Sequence, residues 1–451
     1  MTRATKTLLF ETCICLTTVI ALPLQFTQAD EIWPQWRGPQ GQGHASTTRE
    51  IPISWSESNN VVWKTPLQGK GWSSPVLDSR HIWMTTAIES EVTEKQRNAR
   101  LAGIRNPKPL QVSGPVTMRA QCVDRENGQI VHDIALFTSA EPQPIHSLNS
   151  YASPSPLLNG ERLFCHFGDY GTVCLNTQSA HIEWINRDIH LNHENGPGST
   201  PVLWKDLLIV HCDGSDTQYV VGLNQKTGAI VWNTARSGTM AEKPDFRKAY
   251  GTPVIVPING KDTLISPAAD WLYAYDPATG QELWKVSYGV LGFSVVPRPV
   301  VSHGMAILST SFMKPELLAI DLGEHGDEPA ITWRQKRGAP SIPSPLVVRD
   351  RLYVVSDKGI MSCFDVKTGE EQWASRLGGN FSSSPLFADG RIYVCNREGT
   401  TFVIQPGNEY ALLSTNQLDG QIFATPAAVN DSLYLRTDTS LYRIAKSLGT
   451  R

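Results

Sequence analysis

Ala274-Tyr275-Asp276-Pro277-Ala278-Thr279-Gly280-Gln281-Glu282-Leu283-Trp284 carries a pattern that recurs along the chain with its aromatic residue at a fixed offset. Asp followed by Trp eight positions later returns as Asp365 with Trp373, and with Asn in the first place as Asn224 with Trp232 and Asn176 with Trp184. Asp124 with His132 is a degenerate copy, and Asp321 with Trp333 is a copy stretched by four residues of loop. The unit reads as a hairpin. An alternating apolar strand ends in Asp, whose carboxylate accepts backbone N–H groups in the turn, and Gly takes the positive φ that a tight turn requires. The following strand carries Trp184, Trp232, Trp284, Trp333 or Trp373, an apolar body large enough to fill the seam against a neighbouring sheet.

A second marker counts the units. Pro75, Pro156, Pro201, Pro253, Pro299, Pro345, Pro385 and Pro426, usually after Ser or Thr, open successive units 40 to 52 residues apart, except for a first interval of 81. That period is the one expected of four-stranded propeller blades, and eight openings predict eight blades. The last unit stops after Leu441 to Ile444 with no Trp strand, whereas Val61-Val62-Trp63-Lys64 is a Trp strand without the three before it. Joining the two closes the ring and removes an open sheet edge. The fold expected is all-β: an eight-bladed propeller over 61–451, preceded by an extended arm over 30–60 pinned by its tryptophans.

Arg3 and Lys6, an apolar run from about Thr12 to Leu24 and then Thr27-Gln28-Ala29 read as a cleaved export signal over 1–29. The alternative is an uncleaved anchor, although the run is short for a membrane span. The 40 basic and 43 acidic residues give a net charge of −3, so nothing points to a nucleic-acid partner. Six of the eight cysteines lie beyond the signal. Cys122, Cys174 and Cys363 stand two residues before the Asp or Asn of the repeat, as Ala274 and Gly222 do, which marks a position for a small buried residue. Cys165 and Cys174 are expected to face each other across a hairpin centred on Asp169 and Tyr170, where either a cross-strand disulfide or two buried thiols fits.

The repeat from Asp276 to Trp284, with its Thr279-Gly280 turn, resembles the tryptophan-docking repeat of the PQQ-like β-propellers. That family includes quinoprotein alcohol dehydrogenases and the propeller lipoprotein of outer-membrane protein assembly. Trp33-Pro34-Gln35-Trp36-Arg37-Gly38-Pro39 also resembles the start of secreted PQQ-like repeat proteins. The resemblance implies fold more strongly than activity. Dehydrogenases of the family place two adjacent cysteines over the quinone, and this chain has neither a Cys-Cys pair nor a Cys-x-x-Cys-His haem motif.

In a four-stranded blade, the loop into the innermost strand and the loop between the second and third strands share one face, while the Thr-Gly turns lie on the other. Polar residues crowd the first set. Loops entering blades offer His146, Asn149 and Tyr151, then His193, Glu194 and Asn195, then Arg247, Lys248 and Tyr250, then Arg298. Loops between second and third strands offer His166, Asp169, His211, Asp213, Asp216, Asp270, Trp271 and Lys314. Taken singly, each is as well explained by turn chemistry or solvation. Their convergence predicts a lopsided polar pocket beside the channel on blades two to five. His166, His211 and Asp213 match no specific metal-ligand spacing, so no metal site is assigned. The long first interval holds an insertion over 89–116, basic through Lys95, Arg97, Arg100, Arg105 and Lys108, which reads as a lid, as counter-charge for an anion or as a plain surface loop.

These readings favour an exported binding or scaffold module for a small polar ligand or a protein partner, with no stable membrane span after signal cleavage. The alternative implied by the family is a quinone-dependent alcohol or sugar dehydrogenase, with PQQ and calcium as cofactors and with Glu194, Asn195 and Asp213 as oxygens for the cation.

Overall fold

A computed structural model describes residues 32–45, 49–289, 292–310, 312–323 and 328–446. The export signal expected over 1–29 lies outside the described residues. Eight antiparallel sheets follow one another along the chain, each with four strands in ladder order, and the first strands of neighbouring sheets touch around a common axis. This is the eight-bladed propeller that the repeat predicts. Val61–Pro66 pairs antiparallel with Ser440–Ile444 and so supplies the outer strand of the last blade.

The hairpin chemistry explains the repeat residue by residue. Asp365 Oδ1 accepts the N–H groups of Lys367 and Thr368 at 3.0 and 3.1 Å, and Asn224 Oδ1 does the same for Lys226 and Thr227 at 2.9 and 3.1 Å. Each Trp then reaches over the turn of the next blade. Trp184 Nε1 donates to Gln225 O at 3.0 Å and Trp333 Nε1 to Val366 O at 3.2 Å. Trp63 closes the circle by donating to Arg125 O in blade 1 at 3.1 Å. Trp184, Trp232 and Trp333 are buried, while Trp284 and Trp373 are partly buried against neighbouring clusters.

The small position also has its reason. Cys174, Gly222, Ala274, Ala319 and Cys363 lie directly across the ladder from Trp184, Trp232, Trp284, Trp333 and Trp373, and the ladder shifts register just after each of them. The extra residue on the outer strand is a β-bulge that re-aims the Trp. The same register decides the cysteine pairing. Cys165 faces Val173 and Cys174 faces Phe164, so adjacent residues of the pleat send the two sulfurs to opposite faces. The disulfide is therefore ruled out by register, and all six described cysteines are free and buried.

The Ser/Thr-Pro marker is a hydrogen-bonded ring around the axis. Thr425 N donates to Ser74 Oγ at 2.9 Å, Ser74 N to Ser155 Oγ at 2.8 Å, Ser155 N to Thr200 Oγ1 at 3.1 Å and Thr200 N to Thr252 Oγ1 at 3.0 Å. Across the axis Arg298 N donates to Ser344 Oγ, Ser344 N to Ser384 Oγ and Ser384 N to Thr425 Oγ1, at 2.9 to 3.2 Å. Only the link from Thr252 is missing, because position 298 carries Arg. Its guanidinium instead donates to Pro253 O at 3.1 Å and Trp36 O at 3.2 Å.

The arm threads the axis. Trp33 exchanges 2.8 Å backbone bonds with Leu77, Leu158 N donates to Pro34 O at 2.8 Å, and His44–Ala45 adds a short parallel strand to Leu386–Ala388. Those partners are innermost strands of blades 1, 2 and 7, so the arm plugs the channel. Blade 7 has no Trp in its outer strand, and Trp55 of the arm stacks on its Tyr393 at 6.2 Å instead.

Candidate functional site

Above the hydroxyl ring lies a cavity of about 1390 Å³, walled by residues from all eight blades and by residues 103–106 and 109–110 of the insertion. Its floor is the ring itself, through Ser74, Ser155, Thr200, Thr252, Ser384 and Thr425, together with Trp36 of the arm. Trp36 Nε1 donates to Thr425 Oγ1 at 3.1 Å, which fixes the indole across the channel. The site is thus centred over a plugged axis and extends round every blade, which corrects the lopsided pocket expected on blades two to five. Burial of hydroxyls in one sequence register, repeated in seven of the eight blades, puts them at one height.

Of the loop residues singled out from the sequence, His146, Asn149, Asp169, Glu194, Asn195, Asp216, Lys248 and Tyr250 line this cavity. Asn149 is largely spent on its own loop: its amide donates to Asn195 O at 2.7 Å and to Pro197 O at 3.2 Å. Asp169 accepts from Gln143 Nε2 at 3.1 Å and from Leu191 N at 3.2 Å. Asp216 accepts from Asn192 N at 2.7 Å. Glu194, at φ 59°, is paired with Lys248, and Tyr250 receives an Asn195 amide hydrogen at 3.1 Å. Burial, with Arg397 across the cavity, holds the His146 imidazole below its usual value.

The others lie outside the wall. Tyr151 is buried and donates to Gln143 O at 2.9 Å, and Arg247 turns back to Ala241 O and Glu242 O at 2.7 and 2.8 Å. His166 and His193 are buried, one against Thr172 Oγ1 at 2.8 Å and the other accepting from Asp169 N at 3.0 Å. Burial lowers their imidazoles to about 3 and about 4. Asp213 is sealed in a two-pronged pair with Arg236 at 3.0 and 2.7 Å. Asp270 and Trp271 form a separate corner, where burial raises the carboxyl to about 6 and the indole donates to Thr239 O at 3.2 Å. Arg298 belongs to the channel below, and Lys314 contributes its carbonyl to Thr310 Oγ1 at 3.3 Å.

Sequence reasoning passed over the aromatic part of the wall. Trp72 and Phe423 stack at 4.2 Å with planes 14° apart, with Lys70 over one ring and Arg397 over the other. Phe293 and Phe312 meet edge to face at 5.7 Å on the opposite side. Trp72 and Phe423 sit in loops, while Phe293 and Phe312 face each other across a short two-stranded ladder; none carries the Asp–Trp punctuation, and the signal available was their place just before a Ser/Thr-Pro marker or in a segment facing it. The insertion reaches across to this side. Its helix, Glu94–Leu101, starts with a capping box at Thr93 and Gln96, and Arg105 meets Asp245 at 3.5 Å.

The residues do not fit a quinone with its metal. Such a cofactor needs oxygens gathered on a cation at its carbonyl. Here Glu194 is taken by Lys248 and Asp213 is sealed outside the cavity, and among the described residues no three His, Cys, Asp or Glu side chains gather.

Comparison with known proteins bears on the fold and the family. The family described as outer membrane protein assembly factor BamB matches residues 110–322 and 268–422. The outer membrane protein assembly factor BamB of Yersinia pestis is 22% identical over 234 residues, covering 49% of this chain and 54% of that protein. The curated relatives are matched over only 24% to 58% of their own lengths. The crystal structure of BamB from Moraxella catarrhalis superimposes with a TM-score of 0.51 at 15% identity, over 74% of this chain and 92% of that one. A europium-containing methanol dehydrogenase gives a TM-score of 0.65 at 10% identity, over 91% and 90%. At such identities the likeness is one of fold.

Proposed function

The chain belongs to the BamB-like family of PQQ-type β-propellers, and from that premise we propose that it is an exported binding or scaffold module that receives a ligand or a partner protein in the cavity over its channel. The observation that carries this reading is the cavity itself: about 1390 Å³, open at one face, closed below by Trp36 and built from the loops of every blade. Loops on a rigid scaffold are where recognition residues concentrate. Relatives named as outer membrane protein assembly factors support a role in holding another molecule rather than transforming one. The leader-like N-terminus supports export.

Catalysis draws no comparable support. Most wall charges are already engaged with neighbouring groups, and the three histidines whose imidazoles burial strongly lowers, His166, His193 and His211, are shut away from the cavity.

The test is site-directed photocross-linking in the producing cell. A benzophenone side chain placed at Phe312, in the wall, is expected to give a discrete adduct. The same group at Arg349, which lines a smaller recess on the opposite face, is expected to give none. Adducts from position 349 alone sink the reading.

A further inference from the structure

We propose that the cavity takes a neutral oligosaccharide, an inference that rests on the cavity being the binding site. Three observations point to that chemistry. The first is charge. The wall holds five carboxylates against four cations, and most are already engaged within it. Glu194 pairs with Lys248, Asp245 with Arg105, Lys358 Nζ donates to the Asn380 amide oxygen at 3.1 Å and Arg397 Nε to Ser382 Oγ at 2.7 Å. Such a wall offers little field to a polyanion or a polycation, since a charged ligand gains only where opposite charge is left unspent.

The second is the kind of polar group that remains. The floor is a circle of hydroxyls, and Asn106 at the insertion tip forms no side-chain hydrogen bond among the described residues. Hydroxyls and amides both donate and accept, which suits a ligand whose own groups are hydroxyls. The third is aromatic surface. Phe312 is 58% exposed, and Trp36 keeps part of its indole open on the floor. A pyranose ring has an apolar C–H face and a polar hydroxyl rim, so it is matched by aromatic rings set among amides and hydroxyls. The volume, about 1390 Å³, exceeds the roughly 300–1,000 Å³ of ordinary small-molecule pockets and leaves room for several sugar units.

The experiment uses the mature chain and titrates its tryptophan fluorescence, backed by calorimetry, with four neutral series (malto-, cello-, xylo- and N-acetylglucosamine oligosaccharides), an oligogalacturonate series and a dodecapeptide library. One neutral series is expected to bind with affinity that rises with length. Binding is expected to weaken at least tenfold in Phe312→Ala and in Asn106→Ala, both exposed positions, and to stay unchanged in Arg349→Ala. The proposal is overturned if no neutral series binds, if the uronate series binds more tightly, or if both cavity variants bind like the parent. Peptide binding that Phe312→Ala abolishes would overturn the sugar while keeping the cavity as the site. Binding that only Arg349→Ala abolishes would sink both.

Discussion

At Gly280 two requirements coincide. Its φ of +71° is one that side chains resist, and a Cβ there would lie 2.4 Å from the Trp232 ring docked on it. Gly228, Gly369 and Gly128 stand under Trp184, Trp333 and Trp63 in the same way. Gly260 has φ +75° with open space around it. Gly280→Ala is therefore expected to cost about 2–4 kcal/mol, from backbone strain plus overpacking, and Gly260→Ala only about 1 kcal/mol. Denaturant melts of the two variants compare them directly; equal losses would show that the ring contact contributes nothing. His166 and His193 supply a pH dependence. Their folded-state values, about 3 and about 4, lie below the ordinary 6.5, so the unfolded chain binds more protons in between. Stability is fully present above about pH 6.5 and is lost as pH falls toward 4, by up to about 1.4 kcal/mol per pH unit for each group. His166→Gln should flatten that slope, as read from melting temperature against pH.

At the level of elements, the outer strand is the hinge of the design. In the blades that carry a docking Trp from 184 to 373, the outer strand has a bulge one residue before that Trp, and the bulge turns the side chain onto the next blade. Trp333→Ala, at a buried site bonded to Val366 O, is expected to cost about 3–5 kcal/mol. Trp284, only partly buried, should cost less than that. A calorimetric melt that ranks them the other way would show that the two dock differently. The insertion is the opposite case. Its helix buries no residue, and its reach across the cavity ends in an exposed ion pair of Arg105 with Asp245. Such pairs contribute roughly 0–1 kcal/mol. Arg105→Ala should leave the melting temperature within about a degree while speeding ligand exchange, since a surface contact is lost but no core contact is.

For the whole molecule, the arm matters as much as the closing strand. It buries Trp33, Arg37, Ile51 and Trp55 and bonds to innermost strands around the axis. A chain that begins at residue 49 keeps Trp55 and the closing strand but loses the plug. Its channel should open, with a lower melting temperature and new binding of a hydrophobic dye. Unchanged dye binding would mean that the blades collapse inward to replace the arm. Removing residues through 70 as well leaves the last blade without its outer strand, and poor solubility is the expected result.

Repeat spacing, turn residues and the two half-blades at the termini were enough to read eight blades and their closure, because hairpin chemistry is local and a fixed period repeats it. The docking tryptophans were legible for the same reason. The site was legible only in part. Glu194, Asn195, Asp216 and Tyr250 stood out as polar residues in facing loops, and they do line the cavity. Asp213 and Arg298 looked the same in sequence, yet one is locked to Arg236 and the other holds the arm, since loop membership does not say which way a side chain turns. Trp36 and Phe423 are hundreds of residues apart and meet in one cavity only because the ring closes. Which side chains that closure brings face to face is a matter of long-range packing, which no local pattern encodes.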